Sequence, residues 1–214
     1  MSQVIVVDYG MGNVLSVCRA LERCGASVLL TRDHDAVAKA DRLVLPGVGA
    51  FGDCMKALKS LELVEPIKAF VASGNPFLGI CVGMQILFDF GEEFDGYPGL
   101  GLIPGRVVQI DTGTQDGAIR KIPHIGWTSI ASPIGACDRW VGSIFELTAP
   151  STPFYFVHSF TAKPTNPSDL LAGANYAGAP ITAAVQRDNI TGVQFHPEKS
   201  GAAGLALVAR FIEL

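Results

Sequence analysis

Pro76-Phe77-Leu78-Gly79-Ile80-Cys81-Val82-Gly83-Met84-Gln85-Ile86-Leu87-Phe88 is the stretch that decides the fold. Pro76 to Cys81 is a short apolar run that follows the turn cluster Ser73-Gly74-Asn75-Pro76, which reads as a buried strand. Gly79-Ile80-Cys81-Val82-Gly83 has the form G-x-nucleophile-x-G, and a helical run is expected from Met84 to Phe90. A sharp strand-to-helix turn pushes its central side chain into solvent only when its neighbours lack bulk, because the backbone there is strained and closely approached. Cys81 would then sit at a helix N-terminus, where the macrodipole and free N–H groups favour thiolate and the Val82 N–H can face a developing oxyanion. The competing reading is a structural cysteine buried at a strand end.

The same unit recurs on the N-terminal side. Gln3 to Asp8 reads as a strand and Asn13 to Cys24 as a helix, with Val14, Val17, Ala20, Leu21 and Cys24 at helical spacing. Asn13 is placed to cap that helix and Gly25 to close it. A strand is expected over Ser27 to Leu30, a short helix over Asp35 to Ala40 and a strand over Arg42 to Pro46. Helices are expected over Gly52 to Leu63 and Pro66 to Ser73. Fully apolar strands alternating with helices call for a parallel sheet covered by helices. The second half changes character: strands are expected at Arg106 to Asp111, Phe154 to Phe160, Leu170 to Ala174, Ile181 to Arg187 and Ile190 to Phe195, as antiparallel additions. A closing amphipathic helix is expected over Ala202 to Leu214. With no linker or repeat, the pattern predicts a single α/β domain over residues 1–214, built on a mostly parallel central sheet.

Composition narrows the function. The chain has 214 residues, 49% of them hydrophobic, and a formal net charge of −4, which gives no electrostatic footprint for nucleic acid or an anionic membrane. The five cysteines form no CxxC pair, so neither a zinc cage nor a disulfide framework follows, and a reducing, cytoplasmic setting is the simplest expectation. No secretory leader is expected from MSQVIVVDYG. Ala69 to Phe88 has the length of a membrane span, but its central turn cluster would leave backbone groups unpaired in lipid. Asn189-Ile190-Thr191 matches a glycosylation sequon and reads as chance without an export signal. Gly10-Met11-Gly12 with Asp33 imitates a dinucleotide fingerprint, yet Leu15 stands where the third glycine is needed.

Two further segments complete a candidate site. In Gln194-Phe195-His196-Pro197-Glu198, Pro197 forces His196 into extended geometry, and residues two apart in extended chain point to one side. Glu198 can therefore fix the tautomer of His196 and stabilise its imidazolium, as in a nucleophile-base-acid triad with Cys81. His34 lies among surface-type residues, and His124 and His158 read as satisfied core or positioning groups. Pro46-Gly47-Val48-Gly49 follows the third strand and would emerge on the same sheet edge as Cys81. It is either a plain turn or a switchable oxyanion hole in which the Gly47-Val48 peptide flips at low cost.

With these residues in view, the sequence resembles the class I (triad) glutamine amidotransferases, most closely the glutaminase-subunit (HisH) family of imidazole glycerol phosphate synthases. The resemblance runs nearly end to end, through DYGMGN at Asp8–Asn13, LPGVGAFGD at Leu45–Asp53, PFLGICVGMQILF at Pro76–Phe88, GLGLIPGRV at Gly99–Val107, IPHIGW at Ile122–Trp127, YFVHSF at Tyr155–Phe160 and QFHPEKSG at Gln194–Gly201. It implies a flavodoxin-like fold, attack by Cys81 on the glutamine amide, proton transfer by His196 and orientation by Glu198, with no cofactor or metal. It also implies that Gly49, Gln85, Glu93 and Ser159 hold glutamine and that Val48 and Val82 supply the oxyanion N–H groups. A separate (β/α)8-barrel cyclase of HisF type would use the ammonia, met by the exposed interface residues Asn13, His124 and Trp127. Paralogous pairs serving amidino-sugar assembly on surface polysaccharide and a standalone cysteine hydrolase are the alternatives. The sequence departs from the family at Thr128, where Asn is general, at Phe90-Gly91, and in a long Thr128–Thr152 segment.

Overall fold

The computed structural model describes residues 2–113, 119–133 and 137–214. Among these residues, thirteen strands and six α-helices follow one another: β1 Gln3–Val7, α1 Val14–Arg23, β2 Ser27–Thr31, α2 His34–Ala38, β3 Leu43–Gly47, α3 Phe51–Ser60, α4 Val64–Ala72, β4 Phe77–Cys81, α5 Val82–Gln85, β5 Phe88–Gly91, β6 Tyr97–Pro98, β7 Ile103–Gln109, β8 His124–Ala131, β9 Pro153–His158, β10 Phe160–Pro164, β11 Leu170–Tyr176, β12 Ala179–Arg187, β13 Ile190–Val193 and α6 Gly201–Glu213. One sheet runs β2-β1-β3-β4-β13-β12-β11-β8-β9 and a smaller one β10-β7-β5-β6.

The large sheet is parallel from β2 through β13 and antiparallel from β13 to β9. The fold is the α/β arrangement expected, with antiparallel additions that make up half of the sheet's pairings. The inner strands β3, β4 and β13 are buried at every residue, which is why they carry no polar alternation. Among the flanking helices α1 packs on α6 and α2 on α4. The buried faces are the periodic ones: Val17, Cys18, Ala20 and Leu21 on α1, and Gly204, Leu207, Val208, Phe211 and Ile212 on α6.

One expected element is corrected. The apolar run after Cys81 is helical for four residues only, Val82–Gln85, and Phe88–Gly91 is a strand in place of the expected continuation of the helix to Phe90. The carbonyls that would continue the helix are taken by a returning loop: Leu100 N donates to Ile86 O, and Leu102 N and Ile103 N both donate to Leu87 O. Both a helix and a strand bury this side-chain run, so periodicity alone does not choose between them. Strands β5, β6, β8 and β10 had no individual signal beyond the general expectation of antiparallel additions. In the Thr128–Thr152 segment, residues 134–136 lie outside the described residues; the rest forms β8, a 3-10 turn at Cys137–Trp140 and the approach to β9.

Several smaller expectations resolve locally. Gly25 closes α1 at φ +90° with its N–H on Glu22 O. Asp33 caps α2, its Oδ1 accepting from Ala36 N at 2.8 Å, which is a structural use of the residue that imitates a ribose ligand. Asn189 donates its amide to Val71 O and Asn75 O, so its side chain ties the β12–β13 turn to the end of α4. Among the described residues, no helix is long and apolar enough to cross a membrane, and Ala69–Phe88 divides into the end of α4, a turn, β4, α5 and the start of β5.

Candidate active site

The elbow at Cys81 is enforced by backbone crowding. Cys81 has φ +56°, a left-handed conformation uncommon for a residue with a Cβ. A Cβ on Gly83 would lie 1.9 Å from Leu45 O, and one on Gly79 2.8 Å from Gly83 O, so neither position admits a larger residue without moving backbone. β3 and β4 are in register at Gly47 and Cys81, which brings the Gly47-Val48-Gly49 turn beside the sulfur as the strand order predicts. Cys81 itself is 4% exposed and faces a cavity of about 290 Å³, so the elbow aims its side chain at a pocket wall instead of bulk solvent.

That cavity gathers residues from distant stretches: Val48, Gly49, Cys81, Val82, Gln85, Glu93, Ser159 and His196 all line it. It lies at the carboxyl ends of β3 and β4, the usual position for a ligand on a parallel sheet. His196 is placed by three fixings. Its N–H donates to Tyr155 O at 2.9 Å, its carbonyl accepts from Ser200 Oγ at 2.7 Å, and Ser200 Oγ in turn accepts from Tyr155 N. Helix α6 seals this segment, because a Cβ on Gly204 would lie 1.9 Å from Pro197 O.

His196 Nδ1 and Glu198 Oε1 are 2.9 Å apart, and both side chains are almost fully buried. His196 is extended, but Glu198 sits in the 3-10 turn Pro197–Lys199, so the two meet through a turn and not along an extended chain. Burial works against charge on the imidazole, yet the neighbouring Cys81 sulfur and Glu198 carboxylate outweigh it and raise the His196 pKa to about 10. Nε2 of His196 makes no hydrogen bond and remains for a reacting group.

Asn13 caps nothing with its side chain. Its Nδ2 donates to Glu198 Oε1 at 3.2 Å across 185 residues of chain, so the half-buried Asn13 orients the carboxylate that orients the imidazole. Of the three residues expected to be exposed for a partner, only Trp127 is, at 56%. His124 is 1% exposed because its ring stacks on Phe156 and Tyr176 and makes two hydrogen bonds.

Those bonds form a chain whose proton positions are determined. Phe160 O can only accept, so His158 Nδ1 donates to it at 2.7 Å. Burial first, with the neighbouring His124 and His196 adding to it against the Phe160 bond, lowers the His158 pKa to about 4, and burial does the same for His124. With both rings neutral, His124 Nδ1 donates to His158 Nε2 at 3.0 Å and His124 Nε2 accepts from Thr128 Oγ1 at 2.8 Å. Thr128, where the family generally has Asn, is thus part of the chain.

The pocket's polar groups have partly committed partners. Gln85 Nε2 donates to Phe160 O at 3.2 Å and to Gln194 Oε1 at 3.0 Å, which leaves Gln85 Oε1 as the atom open to a ligand. Gln85 therefore offers an acceptor to a ligand's donor. Glu93 Oε2 accepts from Phe51 N at 2.7 Å at the start of α3, leaving its other oxygen. Gly49 is at φ +88°, and it lines the pocket together with Ser159.

Two residues that sequence reasoning left without a role flank the glycine turn. Tyr9 Oη donates to Pro46 O at 2.7 Å and Cys54 Sγ to Val48 O at 3.4 Å, fixing the carbonyls on either side of the Gly47-Val48 peptide. Burial raises the Cys54 pKa to about 11, which keeps it a thiol and hence a donor. A buried tyrosine after the first strand was the available signal. Among the described residues, no cluster of three or more His, Cys, Asp or Glu side chains is placed to hold a metal ion.

The arrangement can carry out acyl transfer: a thiol at an elbow, an imidazole with a carboxylate behind it, and a glycine turn lining the same pocket. Comparison with known proteins agrees. The family model described as glutamine amidotransferase class-I matches residues 5–214. The chain is 48% identical over 214 residues to imidazole glycerol phosphate synthase subunit HisH 1 of Legionella pneumophila (strain Lens), covering 100% of both chains. It is 46% identical over 209 residues to imidazole glycerol phosphate synthase subunit HisH of Syntrophotalea carbinolica, covering 97% of this chain and 98% of that one. A solved glutamine amidotransferase superposes with a TM-score of 0.71 at 18% identity, covering 98% of this chain and 97% of that one. PurLQS from Thermotoga maritima gives 0.70 at 18%, covering 99% and 97%. At such identities the solved structures speak for the fold alone.

Proposed function

The chain belongs to the class-I glutamine amidotransferase family, and from that membership we infer that it is the HisH-type glutaminase subunit of an imidazole glycerol phosphate synthase. The observation that carries the chemistry is the convergence of Cys81, His196 and Glu198 on one pocket beside the Gly47-Val48-Gly49 turn.

In this reading the Cys81 thiolate attacks the side-chain carboxamide carbon of glutamine. The oxyanion that forms is held by the Val82 N–H and, when the Gly47-Val48 peptide turns toward it, by the Val48 N–H. His196, protonated and held by Glu198, gives its Nε2 proton to the departing nitrogen, and ammonia leaves a glutamyl thioester. Water then adds with His196 as base, releasing glutamate and restoring the thiolate beside a protonated His196. Overall, glutamine and water become glutamate and ammonia.

Gln85 Oε1 and the free oxygen of Glu93 suit the α-ammonium of glutamine. Gly49 and Ser159, which line the same pocket, would hold the rest of the glutamine. No cofactor or metal is required.

The ammonia passes to a (β/α)8-barrel cyclase of HisF type, which uses it in histidine biosynthesis. Trp127 and Ile125 are exposed on β8, and the same strand carries His124 inward to His158 on the pocket wall. A partner on this face would reach the site through β8, with His124 beneath the surface and the half-buried Asn13 bonded to Glu198. A closed junction keeps ammonia from protonation in bulk water. Residues 1–214 act as one amidotransferase domain, in the cytoplasm.

The test is a glutaminase assay with and without the barrel subunit. Cys81→Ala should abolish glutamine use, with and without partner, while the assembled pair still makes product from added ammonia. Retained glutamine turnover in that variant would refute the nucleophile, and no stimulation of the unaltered chain by the cyclase would refute the partner.

A further inference from the structure

Gln194 is the first residue of the Gln-Phe-His-Pro-Glu segment and is fully buried, yet the mechanism above gives it nothing to do. Its amide spans two site residues. Oε1 accepts from Gln85 Nε2 at 3.0 Å, and Nε2 lies 3.8 Å from Cys81 Sγ, within reach of an N–H···S contact.

The orientation follows from the neighbours. Phe160 O is an acceptor, so Gln85 must present its NH2 there, and the same NH2 then meets Gln194. Gln194 therefore turns its oxygen to Gln85 and its NH2 to sulfur. The flipped amide would set nitrogen against nitrogen and oxygen against sulfur. On its other side, Cys81 Sγ has Val157 O at 4.0 Å, an acceptor that favours the protonated thiol. The sulfur thus lies between one group that favours the thiol and one that favours the thiolate.

We propose that Gln194 is a positioning residue for the proposed glutaminase reaction, holding the Cys81 sulfur with an amide N–H while its oxygen fixes the Gln85 amide toward the ligand. One side chain then serves both the nucleophile and the substrate pocket. The proposal rests on Cys81 being the nucleophile. The ionisable groups acting on the sulfur or lining its cavity are His196, Tyr9, Cys54, His158, Glu93 and Lys199, and none is altered in the variants below.

The test reads the sulfur directly. The rate of Cys81 alkylation by iodoacetamide is followed across pH by mass spectrometry of the Cys81 peptide, which separates it from the other cysteines. Gln194→Leu should slow alkylation at pH 7 about tenfold while leaving the alkaline plateau unchanged. The same variant should raise the KM for glutamine, because Gln85 loses its partner. Gln194→Glu keeps an oxygen for Gln85 but places another against sulfur, and should slow alkylation at pH 7 at least as much with a smaller rise in KM.

A profile matching the unaltered protein in either folded variant, as judged by its melting temperature, overturns the proposal even if glutaminase activity is lowered. The Cys81→Ala assay settles the nucleophile separately. If Gln194→Leu does not fold, the isosteric Gln194→Glu decides alone, and an unshifted profile there is equally fatal.

Discussion

The parallel half of the large sheet and its antiparallel half each supply one wall of the same pocket, by different physical means. On the parallel side, β3, β4 and α5 fix Cys81 and the Gly47-Val48-Gly49 turn through backbone in close contact, with glycines wherever a Cβ would collide. On the antiparallel side, β8 and β9, with the start of β10 from the smaller sheet, place side chains through hydrogen bonds: Thr128 to His124, His124 to His158, and His158 to Phe160 O. His196 follows β13, the strand where the two halves join, and is pinned across to β9 through Tyr155. The nucleophile is held by sterics that tolerate little change. The opposite wall is held by polar bonds that protonation can alter.

The largest effect expected from this contrast is at the glycines. Gly83→Ala places a methyl 1.9 Å from Leu45 O, a backbone atom with no rotamer to yield, and should destabilise the protein by about 4 kcal/mol or more. Gly173→Ala in β11 meets nothing closer than 3.8 Å and should stay within about 0.5 kcal/mol of the parent. Denaturant melts of the two variants decide it, and equal stabilities would break the contrast.

At the junction, His196→Ala removes proton transfer and should lower glutaminase kcat about 10³-fold. Glu198→Ala removes only the orienting carboxylate, which water can partly replace, and should cost about tenfold to a hundredfold. Steady-state kinetics with equal residual rates would count against the division of roles.

The histidine pair sharpens the antiparallel side through pH. Both rings have pKa values of about 4 in the fold, below the ordinary histidine value of about 6.5, so between those values the unfolded chain binds more protons. Their contribution to stability is complete above about pH 6.5 and declines as pH falls toward 4. His124→Gln should leave roughly half of that slope, read from unfolding free energies at several pH values. An unchanged slope would remove the pair as its origin. His196 acts in the opposite sense: its raised pKa adds stability that is full below about 6.5 and is lost as pH rises toward 10.

The smallest effect is expected outside the pocket. Arg210 on α6 pairs with Glu146, both partly exposed, and Glu146→Ala should change stability by about 0.5 kcal/mol or less in the same melts. A larger loss would mean that this contact helps α6 hold the His196 segment.

Much of the parallel half was legible because its signals are local. Apolar runs bounded by turn residues gave the strands from Gln3 to Cys81 within about a residue or two, and the glycines around Cys81 announced an elbow that the φ of +56° displays. The antiparallel half gave less. Strand β8 has polar and glycine positions on a half-exposed face, and its burial is decided by a neighbour far along the chain. Phe88–Gly91 looked helical for the same reason: the loop that takes its hydrogen bonds lies beyond residue 98.

The sequence by itself determined the residue types and the order of elements: a cysteine between glycines after a buried strand, a His-Pro-Glu segment, and alternating strands and helices. Tertiary structure alone decided which atoms meet. Asn13 reaches Glu198 and not its own helix, Gln85 turns its nitrogen inward, and Gln194 reaches the sulfur across 113 residues. A backbone preference is written in a few neighbouring residues, whereas the partner of a buried amide or imidazole depends on every acceptor that folding brings within 3 to 4 Å.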